Sequence, residues 1–134
     1  MVKITNLSHE KVDALFLKRI AYNILEREQQ KNADLSIVLV DAQKAKQLHR
    51  MYRGKDSIPN VLSFEEPELG LGEIVLCPVR IRKDAKKYGI TYKEELGRML
   101  IHGVLHLLGY DHEAGRIKEH EMTKKEMYYY NETP

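Results

Sequence analysis

The chain has 134 residues, 43% apolar and 31% charged, with a net charge of +2 when its histidines are neutral. That is enough for one domain with a real core and too little for two, and it excludes a grossly basic arm. No apolar run approaches the ~18 residues of a membrane span, the first residues lack a signal-peptide pattern, and the single cysteine, Cys77, cannot form an internal disulfide, which fits a reducing cytoplasm.

Residues 2–7, VKITNL, alternate and are β-branched, so they read as a strand. Ser8 can cap the helix expected next, because Val12, Leu15, Phe16, Arg19, Ile20, Asn23 and Ile24 recur at spacings of three and four up to about Gln29. Residues 34–41, DLSIVLVD, have strand length and polar ends, and Asp41 can cap a second helix that stops at Gly54. Pro59 turns residues 55–60 away from helix, VLSFEE (61–66) reads as a strand, and EIVLC (73–77) as another. Pro78 then opens a helix with Gly89 as its stop.

Thr91 and Glu94 form a capping box before the long helix YKEELGRMLIHGVLHLL, whose Leu96, Met99, Leu100, Gly103 and Leu107 can share a face. Gly109 supplies a left-handed stop, and residues 115–131, with Ile117, Met122 and Met127 interspersed among charges, read as a last helix. Together these predict an α+β fold: a single domain over 1–134, with a small mixed sheet of about four strands packed against about five helices. The strand order is not legible at this level.

Half of the six histidines fall between Ile101 and His112, in IHGVLHLLGYDH. His102 and His106 are four apart, so on a helix they stand on one face, one turn apart. Gly109 can turn the chain sharply, and His112 then returns to complete a triad. The pattern HxxxHxxGxxH therefore predicts a metal centre with His102, His106 and His112 as ligands. Neutral imidazoles suit one zinc ion best, and nickel or copper also fit. Three histidines with an open fourth position are the catalytic arrangement; a site closed by His120 or Asp111 would be structural. The spacing equals that of the metzincin peptidases, so this is a metzincin-like metal helix, but Gly103 stands where their glutamate base would be. Glu94, Glu95 and Asp111 remain as other candidate bases.

Two basic segments, residues 44–55 and 80–87, are either solvated helix faces or surfaces that attract a polyanion. Arg53 at the end of the first carries a planar fork that matches a phosphate, and is equally a surface arginine favoured at a helix C-terminus. Tyr52, Phe64 and Tyr110 are either stacking faces for bases or core aromatics. Asp111 is either an orienting partner for a histidine or a turn residue. Ser63 reads as an ordinary strand residue, Cys77 as a buried inert thiol, and His9, His49 and His120 as ordinary histidines.

HGVLHLLGYDH (102–112), preceded by EELGRMLI, resembles the YbeY family of metal-dependent endoribonucleases. LHRMYRGKDSIPNVLSF (48–64) matches a second family segment, of YRGKD type leading into VLSF, and GEIVLC (72–77) takes the place of its GDI-type strand. Ile58 and Pro59 stand where the family has Pro then Thr, and Glu73 where it has Asp, so the loop before VLSF is expected to run differently. The resemblance implies a zinc-dependent, single-strand-specific endoribonuclease in the bacterial cytoplasm. Its work would be ribosomal RNA maturation, including the 3′ end of the small-subunit RNA, and ribosome quality control. Its partners would be RNA and the ribosome or its small subunit, with no membrane. The resemblance assigns the metal to His102, His106 and His112, and catalysis to Arg53 and His102. The rival readings are a metallopeptidase-like hydrolase on the same histidines and a ribosome assembly factor with a structural zinc.

Overall fold

The computed structural model describes residues 1–66, 68, 70–111 and 115–133, and of Arg116 the backbone alone. In these residues β1 (Val2–Asn6), α1 (Ala14–Arg27), β2 (Leu35–Leu39), α2 (Ala42–Arg53), β3 (Val61–Glu65), β4 (Gly72–Leu76), α3 (Pro78–Tyr88), α4 (Tyr92–Leu107) and α5 (Arg116–Glu132) follow one another. The expected mixed sheet and helices are thus present. The strand order is β1-β2-β4-β3. β1, β2 and β4 run parallel, as strands joined through crossover helices must, and β3 is antiparallel to β4 at the edge opposite β1.

The period of two in the strands sorts their side chains between two cores. Leu35, Ile37, Leu39, Ile74 and Leu76 face the main core with α1 and α4, whereas Val40, Leu62, Val75 and Cys77 meet Ala45 of α2 in a smaller one. Leu96, Leu100, Ile101, Val104 and Leu105 of α4 are all buried, each worth about 1.5–3 kcal/mol of transferred surface. Beyond its first turn, where Lys93 and Glu94 are exposed, α4 turns to solvent a strip along Arg98, His102 and His106, spaced by four.

Several local expectations change. Ser8 does not cap α1: its hydroxyl donates to Asn6 Oδ1 at 2.6 Å, and Asp13 is the N-cap, accepting from the Phe16 N–H at 3.1 Å. Both residues are good caps, and the strand-to-helix loop claims the serine first. α1 ends at Arg27, and Gln29 takes the left-handed conformation (φ 59°) that a glycine usually fills. Asp41 does precede α2, but its carboxylate binds the His9 ring at 2.9 Å rather than the helix N–H groups. In α5 Ile117 and Met127 are exposed; Met122 and Tyr129 are the buried anchors.

The loop before β3 is pinned where the sequence departs from the family pattern. Arg80 Nη1 donates to the Ile58 carbonyl at 2.6 Å, and its Nε to Asp84 Oδ1 at 3.0 Å. Cys77 is buried, as expected, and burial pushes its thiol pKa up, which disfavours the reactive thiolate.

Candidate metal centre

The helix that carries the histidines is bounded by strong local signals at both ends. Thr91 Oγ1 accepts from the Glu94 N–H at 3.0 Å, and Glu94 Oε1 accepts from the Thr91 N–H at 3.1 Å. At the other end Gly109 has φ +99°, its N–H donates to the His106 carbonyl, and the Tyr110 N–H donates to Leu105, both at 3.1 Å. This is a Schellman stop, and it turns the chain off the axis of α4 one residue after the helix cap.

Between those limits His102 and His106 stand one turn apart. Their rings are parallel to within 3°, with centroids 6.4 Å apart. His102 is partly shielded and its Nδ1 lies 2.8 Å from Glu126 Oε2 of α5, while His106 is exposed. A carboxylate thus holds Nδ1, as one usually holds the non-ligating nitrogen of a histidine that binds metal through Nε2. The donor set thus fits a borderline-soft divalent ion. His112, the third expected ligand, lies outside the described residues, and among the described residues no group of three candidate ligands gathers.

Gly103 follows the first histidine and is fully buried against the sheet. A Cβ there would meet Ser63 Oγ at 3.2 Å and Ile74 at 3.2 and 3.3 Å. The space a peptidase's glutamate would need is therefore filled by β3 and β4. Gly103→Ala gains about 1 kcal/mol of helix propensity and loses about 1–3 kcal/mol to overpacking. Gly103→Glu must also bury a carboxylate, so it is expected to lower the melting temperature by roughly 10 °C or more without conferring peptidase activity. A Gly103→Glu protein that melts like wild type would refute this packing account.

Glu94 and Glu95 do not reach the histidines. They lie about two turns toward the N-terminus, roughly 10 Å along the helix from His102. The Thr91 backbone and the Tyr130 hydroxyl hold Glu94 below the usual carboxylate range. Glu95 is buried and paired with Arg98 at 2.9 Å, and burial pushes its carboxyl up.

Arg53 ends α2, where Gly54 takes the left-handed conformation (φ 66°). Its Nη2 donates to the Ser63 carbonyl at 2.9 Å and its guanidinium lies 5.2 Å from the Phe64 ring centre. Tyr52 meets the same ring edge-on at 5.2 Å. Ser63 in turn donates its hydroxyl to the Gly103 carbonyl at 3.2 Å. One strand residue therefore joins Arg53 to the backbone next to His102, across 50 residues of sequence.

The family model described as Endoribonuclease YbeY matches residues 3–133. The chain belongs to the YbeY family. The Endoribonuclease YbeY of Bdellovibrio bacteriovorus is 45% identical over 100 residues, 74% of this chain and 66% of that one. The chain thus spans just under two thirds of that relative's length. The Endoribonuclease YbeY of Thermotoga neapolitana is 36% identical over 123 residues, 92% of this chain and 76% of the other. The solution structure of a Thermotoga maritima protein superposes with a TM-score of 0.72 at 30% identity, covering 99% of this chain and 89% of that one. The family resemblance and the fold expected from sequence are therefore both established.

Within this YbeY-family chain, sequence reasoning passed over three residues. Ser63 had a usable signal, a small polar side chain on the strand face shared with Val61. Glu126 had none, because α5 shows no apolar periodicity. Glu28 is the third. Tyr110 donates to its Oε1 at 2.6 Å, and Tyr129 and Lys125 donate to Oε2 at 2.5 and 2.9 Å, which ties α1, α5 and the turn after α4 together.

Proposed function

We propose that residues 1–134 act as one metal-dependent endoribonuclease domain that cleaves single-stranded RNA during ribosomal RNA maturation, including the 3′ end of the small-subunit RNA. His102, His106 and His112 hold one zinc ion in this reading, and the protein works on the ribosome or its small subunit in the cytoplasm. Among the described residues no helix is long and apolar enough to cross a membrane. The observation that supports the reading is the pair of hydrogen bonds through Ser63, which links Arg53 to the backbone of α4 at Gly103, the residue after His102.

When bound, the ion supplies Lewis acidity toward a phosphoryl oxygen and acidifies water. The chain's own residues do the rest. The Arg53 guanidinium is anchored on two backbone carbonyls, by Nη2 on Ser63 and by Nη1 on Tyr52, and its remaining N–H donors can grip a non-bridging phosphate oxygen, countering charge that grows there in the transition state. The exposed Tyr52 beside it offers a stacking face to an unpaired base, which favours single strands over duplex. Gly103 keeps the position of a peptidase base empty of any carboxylate.

Purified zinc-loaded protein is expected to cut single-stranded RNA, to spare duplex RNA and casein, and to lose activity on chelation. Arg53→Ala should lower the cleavage rate about 10²-fold with zinc content unchanged. Cleavage of casein but not RNA would overturn the reading. Undiminished cleavage by Arg53→Ala would remove the arginine from it. Analysis of the cut ends separates the two possible nucleophiles, since a 2′,3′-cyclic phosphate marks attack by the 2′-hydroxyl.

A further inference from the structure

α5 has no apolar stripe of the ordinary kind, yet three of its residues point inward at spacings of four and three. Met122 is fully buried, Tyr129 is 2% exposed, and between them Glu126 brings a carboxylate to His102. The two buried anchors hold the Glu126 backbone from both sides, so the carboxylate is delivered to one place. Its side chain is 26% exposed and that of His102 35%, so the contact is partly shielded from bulk water.

A neutral imidazole left to itself prefers its proton on Nε2, the nitrogen that His102 would offer to a metal. A carboxylate 2.8 Å from Nδ1 reverses that preference, because only an Nδ1–H can donate to it. We propose that Glu126 is a positioning residue for the metal site, fixing the Nδ1–H tautomer and the orientation of His102 so that Nε2 presents its lone pair to the ion. This rests on the reading of His102 as a ligand. It gives α5 a task beyond covering the core: the last helix prepares a ligand carried by α4.

The test compares full-length wild type with Glu126→Ala and Glu126→Gln, by two measurements. Nitrogen-15 spectra of the imidazoles of the metal-free protein, at mildly alkaline pH, report the tautomer of His102. Competition with a chromophoric chelator reports zinc affinity. Wild type should show His102 as Nδ1–H. Glu126→Ala should shift it toward Nε2–H and raise the zinc dissociation constant about 10- to 100-fold. Glu126→Gln, whose amide carbonyl still accepts, should keep Nδ1–H and lose less than about tenfold.

Unchanged tautomer and affinity in Glu126→Ala would overturn the proposal, even with a lower melting temperature, which a purely structural contact would also produce. If Glu126→Ala does not fold, a Glu126→Leu protein, which fills the same space without an acceptor, with His102 still Nδ1–H and wild-type zinc affinity would overturn it equally. His102→Ala separates the two levels. Wild-type zinc affinity in that variant defeats the ligand reading itself, whereas loss of affinity there with none in Glu126→Ala defeats only the role of Glu126.

Discussion

His102→Ala and His106→Ala are each expected to lose bound zinc and to cut single-stranded RNA about 10³-fold more slowly, while remaining folded. The size follows from the several kcal/mol of transition-state stabilisation that a catalytic metal supplies, at roughly tenfold in rate per 1.4 kcal/mol. The retained fold follows from exposure. His106 is exposed and His102 partly so, and their removal opens no cavity in the core built by Ile101, Val104 and Leu105. Exposed substitutions usually cost under about 0.5 kcal/mol, and loss of the Glu126 hydrogen bond adds about 1 kcal/mol at His102. Metal analysis, an RNA cleavage assay and thermal melting on the same preparations check all three points. Full zinc occupancy in both variants would remove the histidine pair from the metal site, and collapse of the fold in both would instead favour a structural metal.

Glu28→Ala is expected to cost about 2–4 kcal/mol at neutral pH, a fall of roughly 10 °C in melting temperature. Its side chain is only 11% exposed, and truncation strands the Tyr110 and Tyr129 hydroxyls beside α1. The Lys125 arm, 41% exposed, adds little of this because solvent screens it.

The pH dependence has a definite sign. Burial pushes the Glu28 carboxyl up, but hydrogen bonds from Tyr110, Tyr129 and Lys125 outweigh it and hold the folded pKa below the ordinary 4.5. A depressed carboxylate pKa contributes stability that is fully present above 4.5 and is lost as pH falls through the folded value. Melting curves of wild type and Glu28→Gln should therefore differ most at neutral pH and converge under acid. A gap that widens below pH 4.5 would contradict the assigned sign.

The helix that carries the proposed ligands was legible because its determinants are local. A capping box, an apolar stripe, two histidines four apart and a glycine stop all lie within 19 residues, from Thr91 to Gly109, and each acts on neighbours one turn away. The same locality explains where the reading erred. Ser8 and Asp13 are both competent caps, and only the loop's hydrogen bonds to Asn6 decide between them. Ile117 and Met127 look like a core stripe until Tyr129, which carries a polar hydroxyl, takes the buried place with its oxygen satisfied by Glu28.

By itself, then, the sequence determined the identity and order of the elements, the pairing of His102 with His106 on one helix face, and the family. Tertiary structure alone decided which strands lie at the edges, that Ser63 joins Arg53 to the histidine helix, and that Glu126 reaches His102 from 24 residues away. Helical spacing and capping depend on backbone geometry over one turn, which any sequence displays. A hydrogen bond between elements depends on how whole faces pack, and charged residues such as Glu126 and Glu28 carry no periodic mark of the partner they will meet.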